Sequence, residues 1–139
     1  MPKKDIGYLI KNINDKLKVK ADADLKRYNL TLTQSRVFGF LKNNGGQATQ
    51  KEIEVFLEVS HPTVVGIVSR MEQNGYVTSF VDGNDKRNKI VKLTEQAEIL
   101  GMDMEQNILD TEKKLLASLS EEDIAHLREM LLVIYKNLE

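Results

Sequence analysis

The sequence contains no cysteine and no tryptophan, only two prolines and only two histidines in 139 residues. Without a thiol there is no disulfide framework, no thiolate metal site, no cysteine nucleophile and no thiol redox switch. His61 and His126 lie far apart in sequence, so a zinc site would need a shell built mainly from carboxylates; no metal and no cofactor is expected. No apolar run approaches the roughly 18–20 residues of a membrane span, and the opening residues MPKKDIGYLI hold too short an apolar stretch for a secretory signal. The expectation is a cytoplasmic protein with no membrane partner. Neither sign of charge prevails, with 20 Lys+Arg against 21 Asp+Glu for a net charge of −1. Taken whole, that balance speaks against a nucleic-acid partner. The length suits one compact domain, or a small core with appended arms, that buries roughly two-thirds of the surface of its unfolded chain.

The charge is not evenly spread. Residues 1–59 carry 11 basic and 7 acidic side chains, residues 60–94 carry 5 and 3, and residues 95–139 carry 4 and 11. A modestly basic front is therefore joined to an acidic tail. Lys86, Arg87, Lys89 and Lys92 fall within seven residues, with only Asp82 and Asp85 close by. By itself such a run reads equally well as a solvated surface.

Apolar residues from Asp5 to about Asn29 recur at three- and four-residue steps, which predicts a long amphipathic helix. Thr33 is placed to cap a second helix through about Lys42, ended by Asn43-Asn44-Gly45-Gly46. Thr49-Gln50-Lys51-Glu52 is a capping box for a short third helix to about Glu58. Ser60 caps a fourth, from His61 to about Asn74, with Pro62 in its first turn, Gly75 after its end, and Val64, Ile67, Val68 and Met71 as its buried stripe. Two extended runs follow, Tyr76–Val81 and Ile90–Leu93, around the polar turn Asp82-Gly83-Asn84-Asp85, so a β-hairpin is expected. Thr94 opens a long helix to about Leu116, with Ala97, Leu100, Met104, Ile108 and Leu115 on its stripe. Ser120-Glu121-Glu122-Asp123 is a second capping box that opens a last helix to about Asn137.

Two helices joined by a tight turn, a capped second member, a glycine and a hairpin form the order of a helix-turn-helix with a wing, in which the first helix holds the N-terminal turns of the second for the major groove. The residues also resemble the MarR (multiple antibiotic resistance regulator) family of transcription factors. The likeness lies in Leu30-Thr31-Leu32-Thr33, in Ser60-His61-Pro62-Thr63-Val64, in Arg70 through Val77, and in the wing, where Asp85-Lys86-Arg87 and Ile90-Val91-Lys92-Leu93-Thr94 look like the family's Asp-x-Arg tip and Leu-Thr entry to the next helix. It covers almost the whole chain. The fold it implies is mainly α with a small β-hairpin wing: a DNA-binding lobe over residues 30–94 within a single 1–139 domain, flanked by dimerisation helices over 1–29 and 95–139. The function implied is that of a homodimeric repressor of pseudo-palindromic operator DNA, released by a small anionic or aromatic effector.

Residues follow from these readings. Arg87 at the wing tip suits a minor groove with Asp85 orienting it, while Lys86 and Lys89 suit phosphates; the plain alternative is a surface ion pair on a turn. On the fourth helix His61, Pro62, Thr63, Val65, Gly66, Ser69 and Arg70 lie off the buried stripe and form the face available to DNA; Thr63 and His61 suit hydrogen bonds at base edges, and Val65 suits a thymine methyl. Gly66 stands where family members often carry a larger polar or basic residue; it either permits close approach of backbone to DNA or serves tight packing inside the domain. Ser60, Gln50 and Lys51 at helix starts suit phosphates. Tyr8, Phe38, Phe40 and Met104 are expected to line the crevice that takes effectors in the family. The terminal stripes, Ile6, Leu9, Ile10 and Ile13 with Leu127, Leu131, Ile134 and Leu138, exceed what so small a domain covers and are expected to pair across a two-fold axis. Two other classes stay open: a winged-helix protein-interaction module without DNA binding, and a small helical enzyme, against which stands the lack of a nucleophile–base pair, a Gly-rich phosphate loop or metal-spaced ligands.

Overall fold

The computed structural model describes residues 5–83 and 85–139, apart from the side chains of 85–87. The elements are α1 (Ile6–Arg27), α2 (Leu32–Asn43), β1 (Gln47–Thr49), α3 (Gln50–Leu57), α4 (His61–Gln73), β2 (Val77–Asp82), β3 (Asp85–Leu93), α5 (Glu95–Leu115) and α6 (Glu121–Lys136). They form two compact units, Met1–Leu100 and Gly101–Glu139, with the boundary inside α5.

In the first unit, Asp5 caps α1 by accepting from the Tyr8 N–H at 2.7 Å. The helix ends where Asn29 turns left-handed (φ 57°), and the Leu30 N–H then donates to the Leu25 carbonyl at 2.9 Å. The second helix is capped by Thr31, not by Thr33 as its sequence suggested. Thr31 Oγ1 accepts from the Gln34 N–H, and Gln34 Oε1 accepts in return from the Thr31 N–H. A glutamine three residues on completes a reciprocal box at Thr31, so that register prevails. Thr49 and Glu52 form the expected box on α3.

The hairpin is part of a three-stranded antiparallel sheet in the order β1-β3-β2. Ala48 and Ser79 both stand opposite Val91, on its two sides. The added strand, β1, is only three residues long. Val91, Val77, Leu93 and Ala48 bring the sheet's inner face onto Val37, Phe38 and Leu41 of α2, Ile53 of α3, and Val64, Val68 and Met71 of α4, and this is the core of the unit. Behind α4, Gly75 adopts φ 82° and releases the chain into β2. The Tyr76 hydroxyl donates to the buried Tyr28 carbonyl at 2.6 Å, tying the wing to the end of α1. Thr94 Oγ1 donates to the Gly75 carbonyl at 2.6 Å and accepts from the Ala97 N–H, so one side chain both opens α5 and holds the end of α4.

In the second unit, Ser120 and Asp123 form the expected capping box on α6. Leu116, Ile124, Leu127 and Leu131, with Glu112 and Arg128 among their neighbours, line a groove of about 370 Å³. No residue of α1 or α6 is fully buried. The apolar stripes of the terminal helices therefore exist as expected but stand largely uncovered: Ile13 is 48% exposed, Ile108 68% and Leu138 86%.

Candidate nucleic-acid interface

The third and fourth helices are joined by a turn that local chemistry fixes on both sides. Glu58 ends α3 in the left-handed region (φ 56°), and Ser60 receives the Thr63 N–H as the N-cap of α4. Pro62, in the first turn, forfeits no helical hydrogen bond. Val64, Ile67, Val68 and Met71 are buried, so the opposite face of α4 is turned outward. That face carries His61, Pro62, Thr63, Val65, Ser69 and Arg70, all exposed, with Gly66 half-buried among them. A Cβ built on Gly66 would meet nothing within 4 Å. Tight packing is therefore not what this glycine serves; the alternative that it leaves the helix surface low is the one that survives.

The polar groups of the first turn are engaged within the protein. His61 Nδ1 lies 3.1 Å from Glu54 Oε2 on α3, bracing the two helices across their turn. The Ser60 and Thr63 hydroxyls share a hydrogen bond of 2.8 Å. The His61–Glu54 pair is invisible to periodicity, because it spans seven residues across a break between helices.

Among the other expected contacts, Lys51 and Lys89 are exposed. Gln50 is a correction: it is 7% exposed, because it shares the inner face of α3 with Ile53 and Leu57 at helical spacing. Its side chain is not available to a phosphate. Asp85, Lys86 and Arg87 contribute backbone to β3, but their side chains, and with them the expected wing-tip pair, lie outside the described residues. Arg70, Gln73 and Asn74 line a recess of about 380 Å³ with Lys26, Asn29 and Thr31, at the C-terminal end of α4.

Of the residues expected around an effector, Tyr8, Phe38 and Phe40 belong to the first unit. Phe38 is a correction, being packed in the core beside Val37 and Leu41 on the buried face of α2. Phe40 is half-buried and stacks on Phe56 of α3, centroids 4.5 Å apart, with the Arg36 guanidinium over the Phe56 ring at 5.4 Å. Tyr8 is half-buried on α1, and Met104, also half-buried, belongs to the second unit. Among the described residues no group of three or more His, Asp or Glu can hold a metal ion, and no helix is long and apolar enough to cross a membrane.

Comparison with known proteins places this arrangement. A model of the MarR family matches residues 28–88. The uncharacterized HTH-type transcriptional regulator YwoH of Bacillus subtilis (strain 168) is 37% identical over 131 residues, covering 90% of this chain and 94% of that protein. The crystal structure of MepR, a transcription regulator of the Staphylococcus aureus multidrug efflux pump MepA, aligns with a TM-score of 0.84 at 26% identity, over 98% of this chain and all of that one. The S. aureus MepR–DNA complex aligns with a TM-score of 0.82 at 27% identity, over 96% of this chain and 99% of that one.

Proposed function

The chain belongs to the MarR family of transcriptional regulators, and on that premise we propose that it is a homodimeric repressor of a pseudo-palindromic operator, released by a small anionic or aromatic effector. The carrying observation is the outward face of α4: a capped helix whose inner side is core and whose outer side, from His61 to Arg70, is free of any covering element within its unit. Such a helix, braced by α3, is shaped to enter a major groove. The DNA complex of MepR, which shares the fold, supports the same use.

In this reading Pro62, Thr63, Val65, Gly66 and Ser69 meet base edges. Ser60, Lys51, Lys86, Lys89 and Arg70 meet phosphates, and Arg87, oriented by Asp85, enters the flanking minor groove. The exposed apolar faces of α1 and α6 meet those of a second copy, placing two α4 helices about 34 Å apart, one turn of duplex. An effector lowers operator affinity by favouring a different spacing of the two α4 helices.

The test is selection of bound fragments from random duplex DNA. A two-fold symmetric consensus with half-sites one turn apart, bound less tightly as salt rises, is expected. Absence of any DNA binding at low salt overturns the proposal and favours a protein-interaction module.

A further inference from the structure

From Ser60 to Ser69 the fourth helix contains no Arg, Lys, Asn, Gln, Asp or Glu. Those are the side chains that make bidentate or charge-assisted hydrogen bonds to guanine, adenine and cytosine edges in the major groove. What the outer face offers in their place is short and largely apolar. It consists of the Pro62 ring, the Val65 isopropyl group, which is 42% exposed, the Thr63 side chain and the low surface at Gly66. The polar atoms that could compensate are partly engaged already, since His61 is held by Glu54, and Thr63 Oγ1 by Ser60. Arg70, the first cation along the helix, lies beyond this stretch and lines the recess at its C-terminal end.

Short side chains reach base edges only if the helix axis comes close to them. Gly66 permits that approach, because its position is clear of neighbouring atoms and carries no side chain of its own. The major-groove feature that such a surface recognises is the thymine 5-methyl group, which needs only an apolar contact. Resting on the operator-binding reading above, we propose that α4 selects its half-site chiefly through thymine methyls packed against Val65 and Pro62, beside Gly66, and not through hydrogen bonds to guanine.

The experiment uses the full chain and the selected duplex. Each thymine of one half-site is replaced together with its symmetry mate by uracil, which removes the methyl and leaves every hydrogen-bonding atom; affinity is read by fluorescence anisotropy. At least one symmetric pair is expected to weaken binding about fifteen-fold, about fourfold for each buried methyl. Val65→Ala is expected to weaken binding to the thymine duplex and to become insensitive to uracil at that pair, whereas 7-deazaguanine in the same half-sites changes wild-type affinity less than twofold. Equal affinity for a duplex carrying uracil throughout both half-sites overturns the inference, as does a loss caused by 7-deazaguanine alone. In either case tight binding leaves the operator reading standing; failure to bind any duplex overturns that reading instead.

Discussion

Glycine separates the demands of folding from those of recognition most clearly in this chain, because three of its positions make opposite predictions. At Gly75 the backbone is left-handed (φ 82°), and an added Cβ would stand 2.7 Å from the Gln96 amide oxygen. The amide can swing away, but the backbone angle cannot relax without disturbing the turn that delivers Tyr76 to Tyr28. Gly75→Ala is expected to destabilise the protein by about 1–2 kcal/mol, read as a lower urea midpoint. Gly39, inside α2, is helical and has nothing within 4 Å of its missing Cβ, so Gly39→Ala is expected to raise stability by about 0.5–1 kcal/mol in the same titration. Gly66 shares that free space but sits on the outward face of α4. Gly66→Leu is therefore expected to raise the urea midpoint while lowering operator affinity at least tenfold, a split that a purely structural glycine would not produce. The residue identities of α4 were legible in the sequence because stripe and face alternate with a clear period. Gln50 and Phe38 were not, since burial of a polar side chain, or of one aromatic among several on a helix, is decided by neighbours distant in sequence.

At the level of elements, the sequence announces helix starts far better than it announces strands. The capping boxes at Thr49 and Ser120 are local reciprocal hydrogen bonds, so their spelling suffices to find them. At α2 two threonines competed, and Gln34 decided for Thr31. Strand β1 escaped notice because three residues are too few to show alternation; Gln47–Thr49 is extended only because β3 supplies its partners, Ile90 to Lys92. The Tyr76–Tyr28 bond, spanning 48 residues, was likewise beyond local reading. It joins the start of the wing to the end of α1 and satisfies a carbonyl that water does not reach. Tyr76→Phe keeps the ring and its packing but strands that carbonyl, and is expected to cost about 1–3 kcal/mol in chemical denaturation. A loss well under 0.5 kcal/mol would mean that the carbonyl finds another donor once the hydroxyl is gone.

For the molecule as a whole, a net charge of −1 conceals a front that is basic through residue 94 and an acidic tail, which removes the compositional objection to a DNA partner. The same division between lobe and terminal helices appears in burial. Among the described residues every buried apolar side chain of the core lies between Tyr28 and Ala97, whereas Ile6, Leu9, Ile10 and Ile13 on α1, Leu131 and Ile134 on α6, and Leu138 just beyond it remain more than one-third exposed. Apolar faces of this extent are rare on a soluble monomer and are normally covered by a partner. A second copy of the chain is the occupant that the operator reading requires, since a single α4 reads only half of a palindrome. Leu131→Glu places a charge on the exposed α6 face without entering the lobe core, so the lobe should fold while association is lost. The expected result is a shift from dimer to monomer in sedimentation velocity and the loss of any rise of Tm with protein concentration. Operator affinity should fall by at least a hundredfold, because two half-sites then bind independently and the effective concentration supplied by the dimer disappears. If Leu131→Glu stays dimeric and binds as before, the interface lies elsewhere, and the uncovered helices need a different partner.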